Sequence, residues 1–288
     1  MLLATAALAV PATAQATLTI GSNLGRAPEG IMSSFGCSPP CTLSQDTLSA
    51  DRQAPGGLVS PVNGTITRWR IGAAGASSPT SLRVIRPLGG GLFTGAATSA
   101  TVTPALNTTS AFTTQLPIKV GDSIGINCCQ PFAEYFLLSG GTMREWQPVL
   151  ADGGPGRASA GPGDPHELVL NADIEPTTGF AINLVKAGKG GKLTVVATYP
   201  NPGTLTGGDA RDKRVATAAG GKKQQLFLTS TSRKVQVPGQ TISILMKPTK
   251  LARALLARKG TLKAKAQVVF TPTGGSASTQ IVKAKLKR

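Results

Sequence analysis

The chain has 288 residues, 40% hydrophobic and 4% aromatic, with 35 Gly and 21 Pro; the apolar share excludes a chain too polar to fold, and the Gly and Pro exclude a bundle of long helices. Its 30 Lys and Arg against 13 Asp and Glu give a formal net charge of +17 at pH 7. Residues 201–288 hold 18 basic residues and 2 Asp, whereas residues 17–200 hold 12 basic and 11 acidic, so a partner recognised by charge is expected at the C-terminal end.

Residues 1–16 form an uncharged apolar run ending in Ala14-Gln15-Ala16, the small-x-small pattern read by a signal peptidase. The pattern predicts a signal peptide over 1–16, cleavage after Ala16, and an extracellular or cell-envelope location. The competing reading is a buried first strand continuing into the alternating Thr17-Leu18-Thr19-Ile20. No later segment approaches 18 consecutive apolar residues, so no transmembrane segment is expected in the mature chain.

Residues 21–57 read as irregular, rich in Gly, Ser and Pro. Candidate strands follow at 64–71, 81–87, 98–102, 111–116, 123–127, 141–146, 168–172 and 192–199, short apolar runs separated by turn formers. Thr65-Ile66-Thr67-Arg68-Trp69-Arg70-Ile71 and Leu82-Arg83-Val84-Ile85-Arg86 alternate, which predicts one buried and one wet face for each. Gly89-Gly90-Gly91 precedes a strand rather than a helix and reads as a hairpin turn, not a phosphate cradle. The fold class expected is all-β: an N-terminal β-sandwich or jelly roll over 17–200.

Residues 201–222 read as a flexible linker, from Asn201-Pro202-Gly203 through a charged Ala/Gly-rich stretch. Over 223–288 we expect a small, basic immunoglobulin/fibronectin-like β-sandwich with strands near 225–229, 234–237, 241–246, 261–270 and 279–287. One short helix, Lys250–Lys259, places Leu251, Leu255 and Leu256 to one side and ends at Gly260.

The last two strands carry the charge in a regular way. Lys263 and Lys265 alternate with Leu262, Ala264, Ala266 and Val268, and Lys283, Lys285 and Lys287 alternate with Val282, Ala284 and Leu286. Paired antiparallel, the two lysine rows must share one wet face, because the apolar rows share the core. Arg258, Lys259 and Arg288 extend this basic stripe. Its functional reading is electrostatic adhesion to an anionic cell-wall polymer or polysaccharide; its bland reading is a solvated face that keeps the protein soluble and blunts a sheet edge. No specific nucleic-acid partner is expected, since Phe227 and Phe270 are the only aromatics after residue 200 and offer no stacking platform.

The four cysteines fit an oxidising compartment. Cys37-Ser38-Pro39-Pro40-Cys41 has a spacing that can close locally, so a Cys37–Cys41 disulfide is expected, while Cys128 and Cys129 are adjacent and sequence does not decide among the connectivities. No metal or other cofactor is expected: His166 is the only histidine and adjacent cysteines are awkward ligands. No Ser lies in a G-x-S-x-G context. Asp122, Glu134, Glu145, Asp152, Asp164, Glu167 and Asp173 leave paired-carboxylate hydrolysis open, although each also reads as turn, strand-end or surface chemistry. Trp69 and Trp146 read as core anchors, with sugar stacking beside Tyr135, Phe132 or Phe136 as the alternative.

Several motifs carry a resemblance. Ile20-Gly21-Ser22-Asn23-Leu24, the Cys37/Cys41 pair with Thr42-Leu43-Ser44-Gln45, Ser60-Pro61-Val62-Asn63-Gly64-Thr65, Leu82-Arg83-Val84-Ile85-Arg86-Pro87 and Leu116-Pro117-Ile118-Lys119-Val120-Gly121-Asp122 lie within roughly residues 20–175. This part resembles a group of uncharacterised secreted proteins of high-GC soil actinobacteria. Residues 251–264 are similar to the basic immunoglobulin-like or fibronectin-like module that some of them append. The resemblance brings no catalytic residue or ligand, and Cys128-Cys129 departs from it. The expectation is therefore a monomeric, noncatalytic extracellular or envelope-associated protein; a carbohydrate-binding β-sandwich and a secreted hydrolase are the alternatives.

Overall fold

The computed structural model describes residues 17–27, 40–74, 78–128, 136–211 and 226–288. The strands, in chain order, are β1 (Leu18–Gly21), β2 (Cys41–Thr47), β3 (Gly64–Ala73), β4 (Thr80–Gly89), β5 (Leu92–Thr98), β6 (Thr108–Ile118), β7 (Ser123–Cys128), β8 (Phe136–Trp146), β9 (Ala160–Leu168) and β10 (Leu170–Pro176). They continue as β11 (Ala181–Ala187), β12 (Leu193–Tyr199), β13 (Gly203–Asp209), β14 (Thr231–Val235), β15 (Gln240–Met246), β16 (Thr261–Pro272) and β17 (Ser278–Lys287), with the helix α1 (Lys250–Lys259) between β15 and β16. The fold is all-β in its sheets; among the described residues these are four, open and antiparallel: β1-β10-β3-β6, β5-β4-β7-β2-β8-β9, β11-β12-β15 and β14-β13-β16-β17. Among the described residues no helix is long and apolar enough to cross a membrane.

The first two sheets enclose one core, with Ile20, Ile66, Trp69, Ile71, Ala172 and Ile174 from one and Leu43, Leu82, Val84, Ile124 and Ile126 from the other. Strict alternation would put Ile66 and Trp69 on opposite faces of β3. The β3–β10 register shifts between Asp173 and Ile174, so two residues of β3 oppose one of β10, and both Ile66 and Trp69 turn inward.

Other expectations need correction. The wet face predicted for β4 is covered: Ile85 joins Trp146 and Leu150 in a second small cluster, and Arg83 is buried, donating to Thr98 and the Leu150 carbonyl and pairing with Asp152. The irregular stretch contains β2, which lies between β7 and β8 and is buried over Cys41–Ser44. Because its polar Thr42 and Ser44 are inside, bonded to Asn127 Oδ1 and the Ile124 carbonyl, it shows no alternation. Asp173 does not cap a strand end but sits within β10.

The expected Cys37–Cys41 disulfide is also corrected: no cysteine pair among the described side chains lies at disulfide distance. Cys37 falls outside the described residues, and Cys41 is a buried residue of β2, in register with Cys128 of β7. The expected signal peptide, 1–16, lies outside the described residues as well.

The third and fourth sheets enclose the second core, which takes Phe180, Leu193, Val195 and Tyr199 from the residues before 200 and Leu205, Ile244, Val268 and Phe270 after it. The expected division between 200 and 201 thus falls between β12 and β13, strands that share this core. β13 occupies part of the expected linker, of which 212–222 lie outside the described residues. Its glycines make room rather than slack: a Cβ on Gly203 would stand 2.3 Å from the Thr271 carbonyl oxygen, and one on Gly207 2.9 Å from Ile244. The two units meet at Asn201, which is fully buried; its Oδ1 accepts from the Asn63 N–H at 2.6 Å and its Nδ2 donates to the carbonyls of Asn63 and Thr177 at 2.9 and 2.8 Å.

Thr249 caps α1, its Oγ1 accepting from the Ala252 N–H, and Gly260 ends it at φ 71°. The helix buries Ala252 and Leu256, with Leu251 and Leu255 half-buried.

Candidate polyanion-binding face

The geometry begins with register. β16 and β17 pair antiparallel with Lys263 opposite Lys285, Lys265 opposite Lys283 and Thr261 opposite Lys287. On the core side of the same ladder Leu262 faces Leu286, Ala264 faces Ala284 and Ala266 faces Val282. Burial of that apolar row fixes which side the lysines take, and all five of these lysines are exposed. Cα atoms directly opposite on antiparallel strands stand about 4.5–5.5 Å apart, and same-face neighbours along a strand about 6.8 Å apart. Two rungs of paired ammonium groups therefore lie side by side, with Lys287 one step further on.

Beyond the end of β13 the hairpin gains a wall. The Ala210 N–H still donates to the Lys265 carbonyl, after which Arg211 leaves the sheet and its guanidinium stacks over the Phe227 ring, 4.1 Å from the centroid. Asp209, fully buried, holds this corner together. It accepts from Arg211 Nε and Nη2 at 2.9 and 2.8 Å and from the Phe227 N–H at 2.6 Å. Burial alone raises the Asp209 pKa, but the Arg211 guanidinium and the N–H groups of Phe227 and Arg211 outweigh it and hold the carboxyl below its ordinary value. Hydrogen bonding to Asp209 raises the Arg211 pKa in turn. Floor and wall enclose an open cavity of about 540 Å³, lined by Lys263, Lys265, Lys283, Lys285, Arg211 and Phe227, with Ala264 and Ala284 between.

Among the described residues the lining contains no carboxylate, and none of the four lysines lies within salt-bridge distance of one. With Asp209 neutralising Arg211, the floor carries the net positive charge. Arg258 and Lys259 end α1 and are exposed, and the Arg288 N–H donates to the Gly260 carbonyl. These three stand at the hairpin's open end and do not line the cavity. Sequence reasoning missed Arg211 and Phe227. The alternating Thr204-Leu205-Thr206 was the available sign that a strand, not a linker, leads to Asp209.

Both tryptophans and four of the candidate carboxylates are engaged elsewhere in the fold. Trp69 and Trp146 are each 1% exposed, against Phe112 and Phe93 respectively, and present no face to a sugar. Asp122 is bound by Arg86 at 2.9 and 2.7 Å. Glu167 takes Ser22 at 2.6 Å and Arg52 at 2.7 Å. Asp173 takes Thr19, Arg68 and Arg70 at 2.7–3.1 Å. Asp152 pairs with Arg83 and accepts from Thr98. Each of these four carboxylates is thus held by at least one arginine, Asp173 by two. Glu134, Phe132 and Tyr135 lie outside the described residues, as do the side chains of Phe136 and Asp164. Among those described, no three His, Cys, Asp or Glu gather as metal ligands would.

The chain matches no family model, no curated protein and no solved structure.

Proposed function

We propose that the protein is a noncatalytic extracellular or envelope-associated protein that docks on anionic polymer through the lysine face of β16 and β17. The observation that carries the reading is the direct opposition of Lys263 to Lys285 and of Lys265 to Lys283. Like charges opposite one another on a sheet are destabilising, and a single row suffices to blunt an edge; two rows in register make a surface that gains from a polyanion. The strand orders support the finer architectural reading. In the first unit, the orders β1-β10-β3-β6 and β5-β4-β7-β2 are those of a jelly roll, with the β8–β9 hairpin added at one edge. In the second, a three-stranded sheet packed on a four-stranded one is the arrangement of a fibronectin-like sandwich.

The test is co-sedimentation of the mature protein with purified cell wall. It is expected to pellet at low salt and to be released at about 1 M NaCl, where screening shrinks to about 3 Å. Failure to pellet at low salt, or unchanged pelleting at high salt, rejects the reading.

A further inference from the structure

The site's own metric narrows the polymer. We infer that the lysine ladder takes a polyol-phosphate chain lying along β16 and β17, each phosphate held between one cross-strand lysine pair. The inference rests on the docking reading above and specifies its ligand.

Each rung, Lys263 with Lys285 or Lys265 with Lys283, offers two ammonium groups from opposite sides of a line parallel to the strands. A phosphate has oxygens enough to accept from both, in charge-assisted hydrogen bonds. The distance from rung to rung is two residues, about 6.8 Å. Those two residues contain about six backbone bonds, three per residue. A phosphodiester chain on a three-carbon polyol also passes through about six single bonds of similar length from one phosphorus to the next, so its extended repeat falls in step with the rungs. Inorganic polyphosphate, with a two-bond repeat, does not. The Arg211–Phe227 wall confines the chain on one side of the cavity.

A nucleotide chain shares the six-bond repeat but brings bases that need aromatic faces. Phe227, the one aromatic among the described lining residues, has its ring under the Arg211 guanidinium. The structure therefore favours a chain without bases.

Two double variants of the full chain, each losing two charges, separate a ladder from bulk charge. K263Q/K285Q removes one rung and leaves the other complete. K263Q/K265Q removes one row and leaves no complete rung. Binding to poly(glycerol phosphate), inorganic polyphosphate, polygalacturonate and a single-stranded oligonucleotide is measured by calorimetry at low salt, with circular dichroism confirming folding of exposed-site variants. For poly(glycerol phosphate) we expect the row variant to lose at least about threefold more affinity than the rung variant, and the wild type to show a log–log salt slope of about −1.4 for two engaged phosphates. Equal losses in the two variants overturn the ladder while leaving charge-driven docking standing. Tighter binding of the oligonucleotide or of polyphosphate overturns the polyol-phosphate assignment. Absence of binding to all four polymers overturns both the ladder and the docking reading.

Discussion

Replacing Asn201 with Ala tests whether the junction between the two units is held by hydrogen bonds or by packing alone. The side chain is fully buried and makes three bonds, one from the Asn63 N–H and one each to the carbonyls of Asn63 and Thr177. After truncation the Asn63 carbonyl keeps the Thr177 N–H at 2.9 Å, but the Asn63 N–H and the Thr177 carbonyl lose the partners described here. A buried group left without a partner costs about 1–3 kcal/mol, so two of them, with Asn63 itself half-buried, amount to about 2–4 kcal/mol. At about 2–4 °C per kcal/mol for a chain of this size, N201A should melt roughly 5–15 °C below wild type in differential scanning calorimetry. The near-isosteric N201D supplies the control. It keeps an acceptor for Asn63 N–H but turns an oxygen toward two carbonyls and buries a charge, so it should destabilise more than N201A. If N201D proves the milder change, packing rather than hydrogen bonding holds the junction and the reasoning fails.

Further outcomes follow from the buried polar groups. Burial raises the Asp173 pKa, but hydrogen bonds from Arg70, Thr19 and Arg68 outweigh it and hold the carboxyl low, so its stabilisation is present above the unfolded pKa and lost as pH falls through the folded one. D173N should therefore cost about 2–3 kcal/mol near neutrality and converge on wild type in acid, read from urea midpoints at successive pH values; a constant gap would contradict this. The Tyr199 hydroxyl is buried, has no hydrogen-bond partner among the described residues, and is pushed up to about 12 by burial. Y199F should be neutral or stabilise by up to about 2 kcal/mol, and should lessen the loss of stability that ionisation of the buried phenol causes in strong alkali; a clear loss of stability at neutral pH would show that the hydroxyl has a partner. With Trp69 and Trp146 both buried, acrylamide should quench native fluorescence weakly, and efficient quenching would reopen sugar stacking on a tryptophan face.

The final hairpin was legible because a single period of two carried both the apolar and the basic row, and local pairing around one turn left a single arrangement. Both tryptophans read correctly as core, although Ile66 and Trp69 reach one face through a bulge that alternation does not announce. β2 and β4 hid their roles because they lie inside a six-stranded sheet covered on both faces, where polar Thr42, Ser44 and Arg83 are buried with partners distant in sequence. β13 hid among glycines that serve close packing. The cavity wall was beyond sequence reasoning, since it joins Arg211 to Phe227 through a carboxylate whose burial follows from the strand pairing around it.

The most direct test of the docking reading compares wild type with the variant carrying Gln at 263, 265, 283 and 285 in low-salt binding to purified cell wall. If the lysine face is the docking surface, the variant loses at least about tenfold in affinity and most of its salt dependence, because those charges are the ones that displace counterions. A variant that stays within about twofold of wild type, with an unchanged salt slope, would place any wall binding elsewhere on the molecule.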